Sequence, residues 1–281
     1  MKAFKLKCTL EEYLKHPAVS SSGLRTIIDK SPAHYYYDLT HPKEATPAMA
    51  FGSAMHQALL EPKLFKSNVV VPPIFEGRTK KGELTTSMNC TEVKDKSDAW
   101  HLENHGKMIV SSDYFETIQG MLNSISKHEK ASQMIGEGRA EESLFWTDAE
   151  TGIECKARPD FLHDGHIIVD LKTCEDASYS GFQKSLVKYN YAVQAAMYLE
   201  AACAVFERNF DKFEIIAIEK EPPYEIHCFH LDDAIIREGQ ELYYSALKTL
   251  KKCRDTDIYP GYGHQLTPIS LPSWAYKMEQ P

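Results

Sequence analysis

The alternation of apolar and polar positions divides the chain into a helical first half and a mixed second half. Residues 1–62 read as helical. Ser20-Ser21-Ser22 can cap a helix over about 23–30 that Pro32 ends, and a second helix runs over about 47–60 before Pro62. Positions 66–110 carry no sustained period. Pro72-Pro73, Gly77, Gly82 and the run Arg78-Thr79-Lys80-Lys81 predict a long loop or small insertion. Helical spacing resumes over about 112–135. Segments 142–148, 153–162 and 166–172 read as strands, parted by turn residues at 148–152 and by His163-Asp164-Gly165. A long helix over about 179–206 follows, then strands at 213–220 and 224–231 joined through Pro222-Pro223, a helix over about 232–252, and a Pro/Gly-rich tail. This order predicts an α/β (α+β) fold: a central mixed sheet flanked by helices, with a helical N-terminal layer. One domain over 1–281 is expected, made of a mainly helical part (1–135), an α/β core (136–255) and the tail (256–281).

Composition narrows the class. Of 281 residues, 43% are hydrophobic and 26% charged, as in an ordinary folded protein. No apolar run is long enough to span a bilayer, and the start, MKAFKLKCTLEEYLKHP, lacks the apolar stretch of a secretory signal. No membrane association and a cytoplasmic location are therefore expected. Seven cysteines, with no CxxC pair, indicate neither a disulfide framework nor a zinc site. The net charge of -8 disfavours a broad phosphate-binding surface. Any nucleic-acid interface must be a local basic surface, with the acid serving as metal ligands or as an outer face.

One stretch carries chemistry. In a strand through His166-Ile167-Ile168-Val169-Asp170-Leu171-Lys172, Ile167, Val169 and Leu171 face one side and Ile168, Asp170 and Lys172 the other. Asp170 and Lys172 then stand roughly 7 Å apart along the strand. That leaves room for a cation, a water and a phosphate. The preceding strand shows Lys156, Arg158 and Asp160 on one face, with Pro159 marking a bulge or edge. A hairpin through 163–165 would set Asp160 beside Asp170. Two carboxylates plus a main-chain carbonyl make a hard oxygen site suited to Mg²⁺ or Mn²⁺. Lys172 is placed to orient or deprotonate a water, or to stabilise charge on phosphorus. The rival reading is a cross-strand surface ion pair, since Asp-X-Lys is common by chance.

Pro159-Asp160 followed by Asp170-Leu171-Lys172 resembles the PD-(D/E)XK nuclease signature. Gly52-Ser53-Ala54-Met55-His56 is similar to the GxxxH helix of the RecB-like branch. Gln194-Ala195-Ala196-Met197-Tyr198 is similar to its QxxxY helix. Ser22-Gly23-Leu24 with Ser31-Pro32-Ala33-His34-Tyr35 looks like its opening helix. The wording around these elements, such as Glu142-Ser143-Leu144-Phe145-Trp146, resembles the RecE-type (exodeoxyribonuclease VIII) nuclease domain over about 20–250, in its stand-alone, phage or prophage form.

The resemblance implies a restriction-endonuclease-like core. It implies a metal site of His56, Asp160, Asp170 and the Leu171 carbonyl, with Lys172 catalytic. His56 alone, at the end of a small and apolar helix, reads more readily as a structural histidine than as a ligand. Gln194 and Tyr198 share a helical face, which is a polar seam on the sheet or, by the resemblance, a brace for the site that contacts the substrate backbone. Glu142 and Glu61 are candidates for a further carboxylate. Lys156 and Arg158 are candidate phosphate contacts, and Ser22 and Arg25 a candidate site for a terminal 5′-phosphate.

The implied activity is 5′→3′ digestion of linear double-stranded DNA to 5′-mononucleotides, leaving 3′ overhangs for recombination. Mg²⁺ is the implied metal, with Mn²⁺ as its substitute; no iron–sulfur cluster is expected. The implied partners are DNA ends, further copies in a trimeric or tetrameric ring, and a RecT-like single-strand annealing protein. An endonuclease on the same core and a non-catalytic DNA-binding module are the alternatives.

Overall fold

The computed structural model describes residues 2–41 and 46–271; the last ten positions of the expected tail lie outside the described residues. Five strands form the central sheet, in the spatial order Ile226–His230, Lys212–Glu219, Ile167–Cys174, Phe161–His163, Gly138–Ala140. Ile167–Cys174 and Lys212–Glu219 are parallel and the other pairs antiparallel. The sheet is therefore mixed, as expected. The parallel pair needs a crossover, and the helices Tyr179–Lys188 and Tyr191–Phe206 supply it. The expected single helix over 179–206 breaks at Asn190, whose backbone is left-handed (φ 48°), a conformation asparagine tolerates better than most residues.

Both faces of the sheet are covered. On one, Ile168, Ile215 and Ala217 pack with Val193 and Met197 of the Tyr191–Phe206 helix and with Tyr243, Leu247 and Leu250 of the Asp233–Thr256 helix. On the other, Val169, Leu171, Ile216 and Ile218 meet Ala54 and Met55 of the Pro47–Leu60 helix and Ile118, Met121 and Ile125 of the Ser112–Lys127 helix. Burial of each such large side chain is worth about 1.5–3 kcal/mol. The alternation predicted for 166–172 is thus realised with an apolar layer on each side.

Besides the break at Asn190, four elements differ from expectation. The first 62 residues are not all helical: Ala3–Leu6 is a strand that pairs with Ser143–Thr147. The segment 66–110 is not all irregular, because it holds the helix Thr91–Glu103. The helix over 112–135 is two, Ser112–Lys127 and Glu129–Met134, parted at His128. The strand over 153–162 is also two. Glu154–Ala157 belongs to a separate three-stranded sheet with Ser143–Thr147 and Ala3–Leu6, whereas Phe161–His163 joins the central sheet. The chain changes sheets at Arg158-Pro159-Asp160, where proline has no N–H to give a ladder. It makes the same change between Gly138–Ala140 and Ser143–Thr147, at Glu141-Glu142.

Candidate active site

Strand register places the first pair of carboxylates. Phe161 pairs with Val169, so Asp160 and Asp170 follow side by side where the Phe161–His163 strand leaves the sheet. Beyond Val169 that strand no longer caps its neighbour. The Leu171 amide instead donates to Asp160 Oδ2 at 2.7 Å. One end of the Asp160 carboxylate is thereby locked by backbone geometry. The other end, Oδ1, lies 3.4 Å from His56 Nδ1 on the Pro47–Leu60 helix. Helix start signals explain that helix: Thr46 accepts from the Met49 amide and Pro47 opens the first turn.

Asp170 is fully buried. Its Oδ1 accepts from Gln194 Nε2 at 2.9 Å, and its Oδ2 faces Lys172 Nζ at 2.5 Å. Lys172 also donates to Gln194 Oε1 at 3.1 Å. Gln194, on the Tyr191–Phe206 helix, therefore holds the carboxylate and the ammonium at once. The ring of Tyr191 lies 4.7 Å from Lys172 Nζ, a cation–π contact. Tyr198, one turn beyond Gln194, lines the cleft with His56 and Asp160.

The second corner brings a carboxylate that the sequence reading passes over. Glu141 is left-handed (φ 55°), and its amide donates to the Asp160 carbonyl at 3.0 Å. His56, Glu141 and Asp160 each offer a ligand atom, all within 4.8 Å of one another. The neighbouring Glu142 points elsewhere, 3.7 Å from Lys5. Glu61 caps the end of the Pro47–Leu60 helix at the cleft wall. No signal short of the backbone turn distinguishes Glu141 from Glu142.

Two basic residues expected to face phosphate have other work. Lys156 is buried, and its Nζ donates to the carbonyls of Tyr13 (2.7 Å), Leu14 (3.1 Å) and His16 (2.7 Å). It caps the C-terminal end of the Leu10–Lys15 helix, where main-chain carbonyls are unpaired and the dipole favours a cation. The cause is the sheet change, which separates the face of Lys156 from that of Asp160. Arg158 lies at the cleft but donates to Glu141 Oε2 (2.7 Å) and Ser143 Oγ (2.5 Å). Ser22 is exposed and its Oγ is 2.9 Å from Ser20 Oγ; Ser20, not Ser22, is the N-cap of the Ser21–Asp29 helix. Arg25 Nη1 donates to the Tyr189 carbonyl at 2.7 Å, at the start of the helix that bears Gln194.

Electrostatics divide the four acids and bases. Burial raises the Asp160 carboxyl, but His56, Lys172 and the Leu171 amide outweigh it and hold it below the usual range. Burial lowers the His56 imidazole, yet the Asp160 carboxylate beside it lifts it to about 9. Asp170 goes up to about 6, through burial and the nearby Asp160 charge, against the pull of Lys172. Glu141 goes up to about 7, for burial and Asp160 again, against Arg158. Four titratable groups with opposed shifts in one cluster, three of them lining a cleft, are the usual mark of a functional site. The cleft, of about 960 Å³, runs from His56, Glu141 and Asp160 past Gly52 and Gln57 to Cys8 and Thr9.

Residues 20–268 match the family model of a PDDEXK-like domain of unknown function (DUF3799). The chain belongs to that family. The DUF3799 chain is similar in structure to a candidate exonuclease from Eubacterium rectale: 19% identity, TM-score 0.61, covering 94% of this chain and 97% of the other. That likeness shows the fold. A phage-related exonuclease from Haemophilus somnus 129PT is more distant, at 13% identity and TM-score 0.33 over 65% of this chain and 92% of its own. No curated protein matches. The DUF3799 chain is thus a member of the PD-(D/E)XK superfamily, with its signature acids and lysine at one place in the fold. Among the described residues, no helix is long and apolar enough to cross a membrane.

Proposed function

We propose that the protein is a divalent-metal-dependent nuclease of RecE type that digests linear double-stranded DNA 5′→3′. The observation that carries this reading is the buried Asp160–Asp170–Lys172 group, braced by Gln194 and flanked by His56 and Glu141. The residues suit a hard divalent cation. Asp170 Oδ2 is a buried carboxylate oxygen with only the Lys172 ammonium beside it and no hydrogen bond. Carboxylates with one imidazole are a donor set for Mg²⁺ or Mn²⁺. His56, Glu141, Asp160, Asp170 and the Leu171 carbonyl would hold the ion, which supplies positive charge to activate water and to offset charge on the phosphate.

The chain's own residues do the rest. Gln194 Oε1 accepts one ammonium proton of Lys172, and the Asp170 carboxylate 2.5 Å away holds the ammonium by charge, which together set it toward the scissile phosphate. Lys172 then balances the negative charge that builds on phosphorus during attack. Gln194 keeps the lysine from swinging back onto solvent. His56 gives up its proton before its Nδ1 can act as a ligand. Ser22 and Arg25, beside the Gln194 helix, take the terminal 5′-phosphate. The direction of digestion, the 3′ overhang and a RecT-like annealing partner follow from the kinship of motifs, and the description of the Eubacterium rectale protein accords with an exonuclease. A ring of copies around DNA reconciles a net charge of -8 with a polyanionic substrate, because basic groups line the channel and acids face outward.

Digestion of linear duplex in Mg²⁺, with and without a 5′-phosphate, tests the reading, with Asp170→Ala as control. We expect release of 5′-mononucleotides by the wild type and a loss of at least 100-fold in the variant. Degradation that survives Asp170→Ala would overturn the catalytic assignment. Cutting of closed circular DNA would replace the exonuclease with an endonuclease.

A further inference from the structure

Next to Lys172, outside the residues that line the cleft, side chains are aromatic and cationic. Tyr191 carries the Lys172 ammonium 4.7 Å from its ring. Tyr189 stacks on Tyr191, with ring centroids 5.6 Å apart and planes at 28°. Tyr189 is 45% exposed although it stacks on an aromatic neighbour. Lys188 Nζ lies 5.1 Å from the Tyr189 ring. The backbone here is held, not loose. Asn190 is left-handed, its side chain donates to Asp29 Oδ1 at 2.6 Å, and Arg25 clamps the Tyr189 carbonyl at 2.7 Å. The Ser21–Asp29 helix therefore fixes the junction between the Tyr179–Lys188 and Tyr191–Phe206 helices from outside.

An asparagine in the left-handed conformation and two long-range polar contacts thus hold the junction that presents this exposed ring. The bland account, an aromatic covering the core, does not need that ring in solvent or a lysine over its face. Rings with flanking cations are how proteins bind unpaired bases without regard to sequence, because every base has a π face and every nucleotide a phosphate. We propose that Tyr189, backed by Tyr191, is a stacking platform for the nucleobase adjacent to the scissile phosphate, with Lys188 pairing the phosphate beyond it. Two ring contacts, of 4.7 and 5.6 Å, separate Lys172 from the Tyr189 ring, a reach suited to neighbouring nucleotides of one strand. The bound base is splayed out of the duplex. Tyr189 is a positioning residue: it fixes where the strand end sits relative to Lys172.

This inference rests on the nuclease reading, and its test separates the two. A duplex with 2-aminopurine at its 5′-terminal nucleotide is titrated with protein in EDTA, and the same duplex is digested in Mg²⁺. Wild type, Tyr189→Ala and Tyr189→Phe are compared. We expect the wild type and Tyr189→Phe to quench the probe by stacking. Tyr189→Ala should lose the quench and weaken binding about tenfold, the usual loss for one aromatic–base stack. In digestion its defect should fall on KM, and Tyr189→Phe should restore it. Quenching that is unchanged in Tyr189→Ala overturns the platform, whether or not the protein digests DNA. So does a change in oligomeric state in that variant with the quench retained, which would make Tyr189 a subunit contact. Quenching that depends on Tyr189 in a protein that never cuts DNA would support the platform and remove the nuclease reading.

Discussion

Asp170→Asn should make the metal-free protein more stable while it abolishes activity. Asp170 is fully buried, and its carboxyl is pushed up from 3.8 to about 6. Between those values the folded chain holds a proton that the unfolded chain has lost. The stability linked to that proton is complete below 3.8 and is lost as pH rises through about 6. Above this window the buried charge is a standing cost. The gap is roughly two pH units, and at about 1.36 kcal/mol per unit it amounts to about 3 kcal/mol. Asparagine mimics the neutral acid in shape and still accepts from Gln194, but its amide would face the Lys172 ammonium. The net gain at pH 8 should therefore be about 1–3 kcal/mol, or a few degrees in Tm. Thermal unfolding followed by circular dichroism in EDTA reads it directly. At pH 3.5 the difference should close. With Mn²⁺ at pH 8 the ranking should reverse, because only the wild type gains appreciably from an ion that binds the folded state. A metal-free Asn variant that is less stable than the wild type at pH 8 would refute the claim that Asp170 is a desolvated charge held for a cation.

Three further outcomes follow from the same site. His56 is raised to about 9, so below that pH it is protonated and an incoming cation must displace the proton. Between about pH 7.5 and 9 cation affinity should rise about tenfold per pH unit, and more steeply below 7, where Glu141 and then Asp170 also hold a proton; calorimetry at about pH 8 in buffers of different ionisation enthalpy should show release of close to one proton, and none would remove His56 from the ligand set. Glu141→Gln should weaken cation binding in the same titration. At Gly52, an added Cβ would meet nothing within 4 Å, and the residue lines the cleft one turn before His56. Gly52→Ala should raise stability by about 0.5–1 kcal/mol and keep activity, whereas Gly52→Leu should fold and lower kcat/KM at least tenfold. A Gly52→Leu enzyme with normal kinetics would mean that substrate does not use this cleft.

Much of the centre was legible because strand periodicity is strict. Once 166–172 is a strand, Asp170 and Lys172 must share a face, and a short turn at 163–165 fixes the register that sets Asp160 beside Asp170. What was not legible depends on where a strand stops. The run 153–162 has one continuous pattern, yet it serves two sheets, and that alone turned Lys156 from a candidate phosphate contact into a helix cap. Glu141 and Glu142 are chemically identical, and a left-handed turn decides which one reaches the site. The strand Ala3–Leu6 is four residues long and finds its partner at 143–147, too far along the chain for local pattern to announce it. The Thr91–Glu103 helix escaped because its apolar face is weak amid a polar sequence.

The paired corners where the chain changes sheets have a consequence for assembly. Asp160 and Glu141 sit at opposite sides of that joint, tied by a single main-chain hydrogen bond, and His56 arrives from a helix on the far face of the central sheet. No one sheet holds the cation site. A nascent or partly unfolded chain can present Asp170 and Lys172 on a finished strand and still lack the means to retain a metal. The capacity to hold a cation is in this sense a property of the completed joint and of no single sheet or helix.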